Sequence, residues 1–343
     1  MPETAPPPST PHYLPAQPEP APLARRAHLA VLAAHLTARD RWIIAMVHEH
    51  RVLTSAQINT LAFGYERGAR RRLATLTHKL RVLDRFRPRR TVGSAPEHYV
   101  LGPAGAAYLA AELDLSAKAF GYNRQRTHQI AVSAQLGHAV GTNEVFTRIA
   151  AAHRTDPQGG RLAAWWSERR CLRLWQDLAR PDGYGHYSLA APGTDPAAAR
   201  NLRFFLEYDT GTEALTRLGA KMAGYAKLAA ASAPQPVLFY LPSAQREENL
   251  HRHLAQDPPR IPVATTSPEA LAAAGTGPAG PVWRPYTARP RIPGRPVKRL
   301  NLIDLDTLVP APATASASAS AAAPTWWIEP PPPLPPATVE TRR

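Results

Sequence analysis

Three acidic residues and one lysine have the types and spacing to act on a phosphodiester. Asp182 follows a proline in PDGYG, Glu207 and Asp209 alternate in the apolar run LRFFLEYD, and Lys221 lies one helical stretch further on. Charged side chains rarely sit in an apolar strand unless they are paired or hold a metal. An Asp just after a Pro at a strand start, followed by a strand bearing Glu-x-Lys, is the layout of one metal-nuclease architecture. On that reading Asp182, Glu207 and Asp209 offer hard oxygen ligands to Mg²⁺ or Mn²⁺, an ion that retains several waters. The metal would activate one of those waters and offset charge on the scissile phosphate. Asp209 occupies the place of the expected lysine. Lys221 is the best substitute, because Glu213, Arg217 and Lys221 repeat at i, i+4 and i+8 after the strand. Glu144 and Glu168 are further acidic candidates, Glu168 on an extended WWSERR segment. The catalytic reading thus rests on Asp182, Glu207, Asp209 and Lys221. The plainer reading is a turn Asp and an edge-strand carboxylate pair.

The elements needed to position these residues can be read from the pattern. Residues 125–275 alternate helical stretches with short apolar runs, among them AAWWSERR, FFLEYD and PVLFYLP. Such alternation suggests an α/β layer architecture, here a restriction-endonuclease-like domain. A helix is expected near 128–153 and another near 213–231.

Residues 25–118 read differently. Trp42, Ile43, Met46 and Val47 share one face of a helix near 38–50. A second helix starts at LTSAQINTLAF with Thr54 or Ser55 as its N-cap. A third carries Ala69, Leu73, Leu76 and Leu80 as its buried stripe, with Arg67, Arg70, Arg71, Thr75 and Lys79 on the opposite face. A hairpin turning near Gly93–Ser94 follows, and then an amphipathic helix with Tyr108, Leu109 and Leu113. Three helices and a hairpin, in that order, make a winged helix-turn-helix, whose third helix enters the major groove while the wing touches backbone. The overall fold expected is therefore α+β, with a winged helix-turn-helix preceding the nuclease-like domain.

Charge agrees with a polyanionic partner. The formal net charge is +15, but only five of the 41 basic residues are lysines, so its location matters more than its total. Ten basic and two acidic residues lie between Glu66 and Arg90, a concentration that arginine-rich codon usage does not explain. The candidate contacts to double-stranded DNA are Arg67, Arg70, Arg71 and Lys79 on the helix and Arg87, Arg89 and Arg90 on the wing, the last three to phosphate. Arg72 falls nearer the buried stripe and suits a structural role.

Residues 1–24 form a proline-rich leader expected to be disordered, and 308–343 an Ala/Ser/Pro-rich tail of the same kind. Residues 276–307 read as an irregular basic extension. The tail segment TWWIEPPPPLPP offers aromatics beside polyproline, a form that can dock to a protein partner; a flexible extension is the simpler expectation. No apolar run is long enough to span a membrane, no secretion signal is evident, and the lone Cys171 cannot form an internal disulfide. A cytoplasmic protein is expected, with a homodimer as one option for its assembly. Phosphate loops and dinucleotide fingerprints are missing, which disfavours ATP-driven helicase or partition functions. His48 and His50, like His251 and His253, lie two apart and read as solvated helix ends. Trp165 and Trp166 read as core residues.

The runs RVLTSAQINTLAF, GSAPEHYVLGPAGAAYL, HAVGTNEVF, PDGYG, FFLEYDTGTEALTRLGAKMAGY and PVLFYLPSAQREENL resemble the replication-relaxation family of actinobacterial plasmids and integrated elements. The resemblance spans roughly residues 37–255. Its most specific part is Glu207, Asp209, Gly211, Thr212 and Glu213 with the later Lys221 and Tyr225. Thr210 stands where the family usually has a basic residue. The resemblance implies a part in plasmid replication or DNA relaxation. Three functions remain open: a DNA-binding protein of a mobile element, acting in replication initiation or DNA relaxation, whose nuclease-like domain is structural or assists DNA remodelling; an active Mg²⁺-dependent nickase or endonuclease; or a winged-helix transcriptional regulator.

Overall fold

The computed structural model describes residues 22–89, 93–176, 178–190, 193, 198–287, 297–310 and 328–336. The leader expected at 1–24 falls outside them up to residue 21, as do 311–327 and 337–343 of the tail. Helix α1 (Pro22–His35) belongs to one compact unit, and the chain from Leu36 onward forms another.

The second unit opens with α2 (Ala38–His50), capped by Thr37 and Asp40, each side chain bonded to the other's backbone N–H. Trp42, Ile43, Met46 and Val47 are all buried, as their spacing requires. A two-residue strand β1 (Leu53–Thr54) leads into α3 (Ser55–Ala62), which Thr54 caps reciprocally with Gln57. Helix α4 (Glu66–Ala74) buries Ala69 and Leu73 and runs on through a π-helical turn at Thr75–Lys79 that buries Leu76. Strands β2 (Leu83–Phe86) and β3 (His98–Leu101) form an antiparallel hairpin with Phe86 opposite His98. The sheet has three strands, because β1 pairs with the far edge of β3. Helix α5 (Pro103–Glu112) follows, with Tyr108 buried.

Short helices α6 (Ala117–Phe120) and α7 (Arg124–His128) lead to α8 (Leu136–Thr155). Then comes a six-stranded mixed sheet in chain order: β4 (Arg161–Ser167), β5 (Gly183–Leu189), β6 (Arg200–Tyr208), β7 (Val237–Tyr240), β8 (Val263–Thr266) and β9 (Arg284–Pro285). The first three strands are antiparallel neighbours, β6, β7 and β8 are parallel, and β9 returns antiparallel. The parallel links need crossovers, and α10 (Leu215–Ala231) and α11 (Ala244–Leu254) supply them.

Period-two alternation sends β6 side chains to two cores. Phe204 stacks with Phe146 of α8, while Phe205 packs against Tyr225 of α10. The second core also holds Tyr184, Leu218, Met222, Phe239, Leu250 and the fully buried Cys171. Gly185 lets β5 pass the first core: a Cβ there would lie 2.3 Å from the Phe204 ring.

The structure differs from the sequence reading in four places. WWSERR is not one strand, because β4 ends at Ser167, whose hydroxyl caps α9 (Glu168–Trp175). His48–His50 is not a solvated helix end: Glu49 and His50 are buried, and His50 stacks on Trp165 at 3.9 Å. His251 is likewise buried, hydrogen-bonded to Thr265. The 276–307 stretch is no loose extension where described, for it supplies β9 and the buried Trp283, Leu302 and Leu305, and Arg299 is ion-paired with buried Glu247.

The helical block and the sheet are joined by polar contacts. Gln57 of α3 donates to the Val140 carbonyl and to Glu144 on α8, and Asn143 of α8 donates to the Val52 carbonyl. Glu49 of α2 accepts from the Ser167 hydroxyl and forms an ion pair with Arg170 of α9.

Candidate functional site

The sheet register brings the carboxylates together. Gly183 lies opposite Leu206, and the Asp182 N–H donates to the Leu206 carbonyl at 3.1 Å. One further step in that register sets Asp182 across from Glu207. Asp209 follows the end of β6 and keeps to the ladder, its N–H donating to the Tyr240 carbonyl. A pocket of about 300 Å³ opens here, lined by His138, Glu207, Tyr208, Asp209, Thr212 and Lys221 among others. Helix α8 can come this close because Gly141 has no side chain to meet the Tyr208 ring.

Each carboxylate has its own cation. Glu207, 1% exposed, accepts Lys221 Nζ on Oε2 at 2.7 Å and the Tyr225 hydroxyl on Oε1. Lys221 also faces Glu213 at 3.4 Å. Asp209 accepts Arg246 Nε on Oδ2 at 2.7 Å and the Gly211 N–H on Oδ1 at 2.8 Å. Asp182 accepts the Tyr208 N–H on Oδ2 at 2.8 Å and faces His138 Nε2 across 3.0 Å from Oδ1. Burial, with the negative charge of Asp182, pushes the Glu207 carboxyl up to about 8 against the pull of Lys221 and Tyr225. The Asp182 hydrogen bond raises His138 above an ordinary imidazole. Burial disfavours the Lys221 ammonium, but Glu207 more than offsets this and raises its pKa.

Every oxygen of the three carboxylates therefore has a protein partner. Among the described residues no three His, Cys, Asp or Glu side chains gather as a metal-binding group. The expected Mg²⁺ set of Asp182, Glu207 and Asp209 does not fit a preformed site: Asp209 is turned to Arg246, and a divalent ion at the other two would have to displace Lys221 or His138. Glu144 is exposed on α8 and accepts from Gln57, and Glu168 is exposed in the first turn of α9.

The basic surface is built differently. Arg67, Arg70 and Arg71 are exposed along α4 and Lys79 on the turn after it, and none of the four has an ion pair among the described residues. Arg72 turns inward to buried Asp40, with Nε 2.9 Å from Oδ1. Arg87 is bound to Glu97 at 2.8 Å and to the Ser94 hydroxyl. Arg89 is exposed, and Arg90 lies outside the described residues.

Residues 44–238 match the replication-relaxation family, more than half of the chain. The chain belongs to that family. No curated protein and no solved structure matches it. The matched span runs from within α2 into β7 and so contains both the basic helix and the carboxylate pocket as far as Tyr225. Arg246, the partner of Asp209, lies beyond it. No helix among the described residues is long and apolar enough to cross a membrane.

Sequence reasoning brought Asp182, Glu207 and Lys221 to one place but missed His138 and Arg246. His138 lies in a run quoted for its family likeness, and only the close packing of α8 on β6 reveals its partner. Arg246 sits three residues after its helix cap Ser243, a position with no sequence signal for pairing to Asp209.

Proposed function

We propose that this replication-relaxation family protein acts on double-stranded DNA of a plasmid or integrated element, in replication initiation or DNA relaxation. In this reading residues 38–101 are a winged helix-turn-helix. Helix α4 enters the major groove, with Arg67, Arg70, Arg71 and Lys79 meeting bases or phosphates, and the β2–β3 hairpin is the wing. The observation that carries the reading is the row of exposed cations on α4 that no acidic side chain among the described residues neutralises. Unpaired arginines on one helix face suit phosphate and base edges, whereas paired ones would first have to break an ion pair. The six-stranded sheet with its α8 and α10 layers is a restriction-endonuclease-like core whose carboxylates are held by protein cations. The test is a titration of labelled duplex DNA with the full chain at several salt concentrations. Binding whose logarithm falls linearly with log salt, at about 0.9 per phosphate contact, is expected. Salt-independent binding, or none, would sink the reading.

A second reading, Mg²⁺-dependent nicking, is favoured by the closeness of Asp182, Glu207 and Lys221 at one strand end. It requires the pocket to rearrange when an ion enters. Supercoiled plasmid incubated with Mg²⁺ or Mn²⁺, against EDTA and against Glu207→Ala, distinguishes the two. Metal-dependent open circles lost in Glu207→Ala support nicking; retarded but uncut DNA in every lane rejects it.

A further inference from the structure

The proline-rich end of the chain does not behave as composition alone suggests. Residues 328–336, IEPPPPLPP, lie against α2, α5 and α9, with Pro333 buried and Leu334 half-buried. Among the contacts that hold the segment are two hydrogen bonds to its carbonyls. The Trp42 indole N–H donates to the Pro332 carbonyl at 2.7 Å, and Arg170 Nη1 donates to the Ile328 carbonyl at 2.8 Å. A half-open cavity of about 470 Å³ lies between the segment and the helices, lined by Trp42, Ala45, Tyr108, Leu109 and Leu113 together with Arg170.

This is the chemistry by which polyproline is recognised. Proline has no N–H, and an extended proline helix makes no internal hydrogen bonds, so its carbonyls stand ready as acceptors. A groove that reads it needs aromatic walls for the rings and side-chain donors for the carbonyls. Trp42 gives both at once, and Tyr108 supplies a second ring. Arg170 supplies the second donor and is held for it, since its Nε and Nη2 grip Glu49 and leave Nη1 to the strap. The peptide loses little chain entropy on docking because each proline ring already fixes its own φ.

We propose that the α2–α5–α9 groove is a polyproline-binding site whose ligand is Ile328–Pro336 of the same chain. The docked segment straps α2, in the block bearing the basic helix, to α9, which leads from β4 towards the carboxylate pocket. The site stands independently of the DNA reading.

The experiment uses the full chain with a protease site inserted within residues 311–327 and a fluorophore at the C-terminus. After cleavage the labelled fragment is free to leave. Retention, read as high anisotropy that an unlabelled peptide of residues 325–336 competes away, is expected. Trp42→Phe should weaken the fragment about tenfold, and Pro333→Asp in the competitor peptide should abolish competition. The second change lies in the peptide, so it cannot act by unfolding the protein. Release on cleavage with the circular dichroism unchanged would overturn the proposal. So would retention that both changes leave untouched.

Discussion

The two charged regions of this protein are built on opposite principles. In the pocket at the end of β6, Asp182, Glu207 and Asp209 are each matched by His138, Lys221 and Arg246. On α4, Arg67, Arg70 and Arg71 face solvent without a protein partner among the described residues. Burial accounts for the difference. A charge withdrawn from water costs several kcal/mol unless a partner lies within reach, whereas an exposed guanidinium is already solvated and free to bind. Matched charge therefore holds the fold together, and unmatched charge is available to a ligand. Substitutions in the first region should act on stability, and those in the second on binding.

The largest effect should come from a pair obeying the same rule as the pocket. Arg170→Met leaves Glu49 buried and uncompensated and should lower unfolding free energy by about 3–5 kcal/mol, measured by urea denaturation. Replacing Arg67, Arg70 and Arg71 together by Ala should do the reverse. DNA affinity should fall about a hundredfold at physiological salt and the salt slope drop by about 2–3, while the urea midpoint stays put. A triple variant that binds DNA normally would break the comparison.

Acid should find the buried imidazole next. His50 has no hydrogen-bond partner on either ring nitrogen among the described residues, and burial lowers its pKa to about 4. The unfolded chain binds that proton near 6.5 and the folded chain does not, so stability falls as pH drops from 6.5 towards 4. The loss should be about 2 kcal/mol between pH 7 and pH 4.5, and His50→Phe, which retains a ring against Trp165, should flatten the slope.

Lys221→Met sharpens the pocket side of the comparison. Without the ammonium Glu207 holds its proton to higher pH than in the wild type, while the unfolded chain releases it at the ordinary carboxylate pKa. The cost should therefore grow with pH, reaching about 1–2 kcal/mol by pH 9, and Glu207→Gln should remove that dependence. The smallest effect belongs to Arg87→Ala. Its pair with Glu97 is half exposed, and such pairs contribute about 0–1 kcal/mol; its DNA affinity should change less than that of Arg67→Ala.

Much of this arrangement was legible from residue spacing. The buried faces of α2 and α4, the Thr54 cap and the reach of Lys221 to Glu207 all follow from local periodicity, which sequence displays directly. The cations of Asp182 and Asp209 do not, because His138 and Arg246 come from helices 44 and 37 residues away in sequence, and no local pattern encodes that meeting. The burial of Glu49 and His50 was missed for the same reason. A helix end reads as solvated until β4 and α9 are known to cover it. Proline-rich composition misled at 328–336, since it reports how a segment behaves without a groove.

Cys171 is the only thiol in the chain and is 0% exposed. It sits in the core that also receives Tyr225, whose hydroxyl holds Glu207. Burial raises its pKa well above that of a free cysteine, so the folded protein presents no reactive thiolate. The thiol is thus a built-in clock. Its rate of alkylation times each opening of the layer behind the pocket, without any label being engineered into the chain.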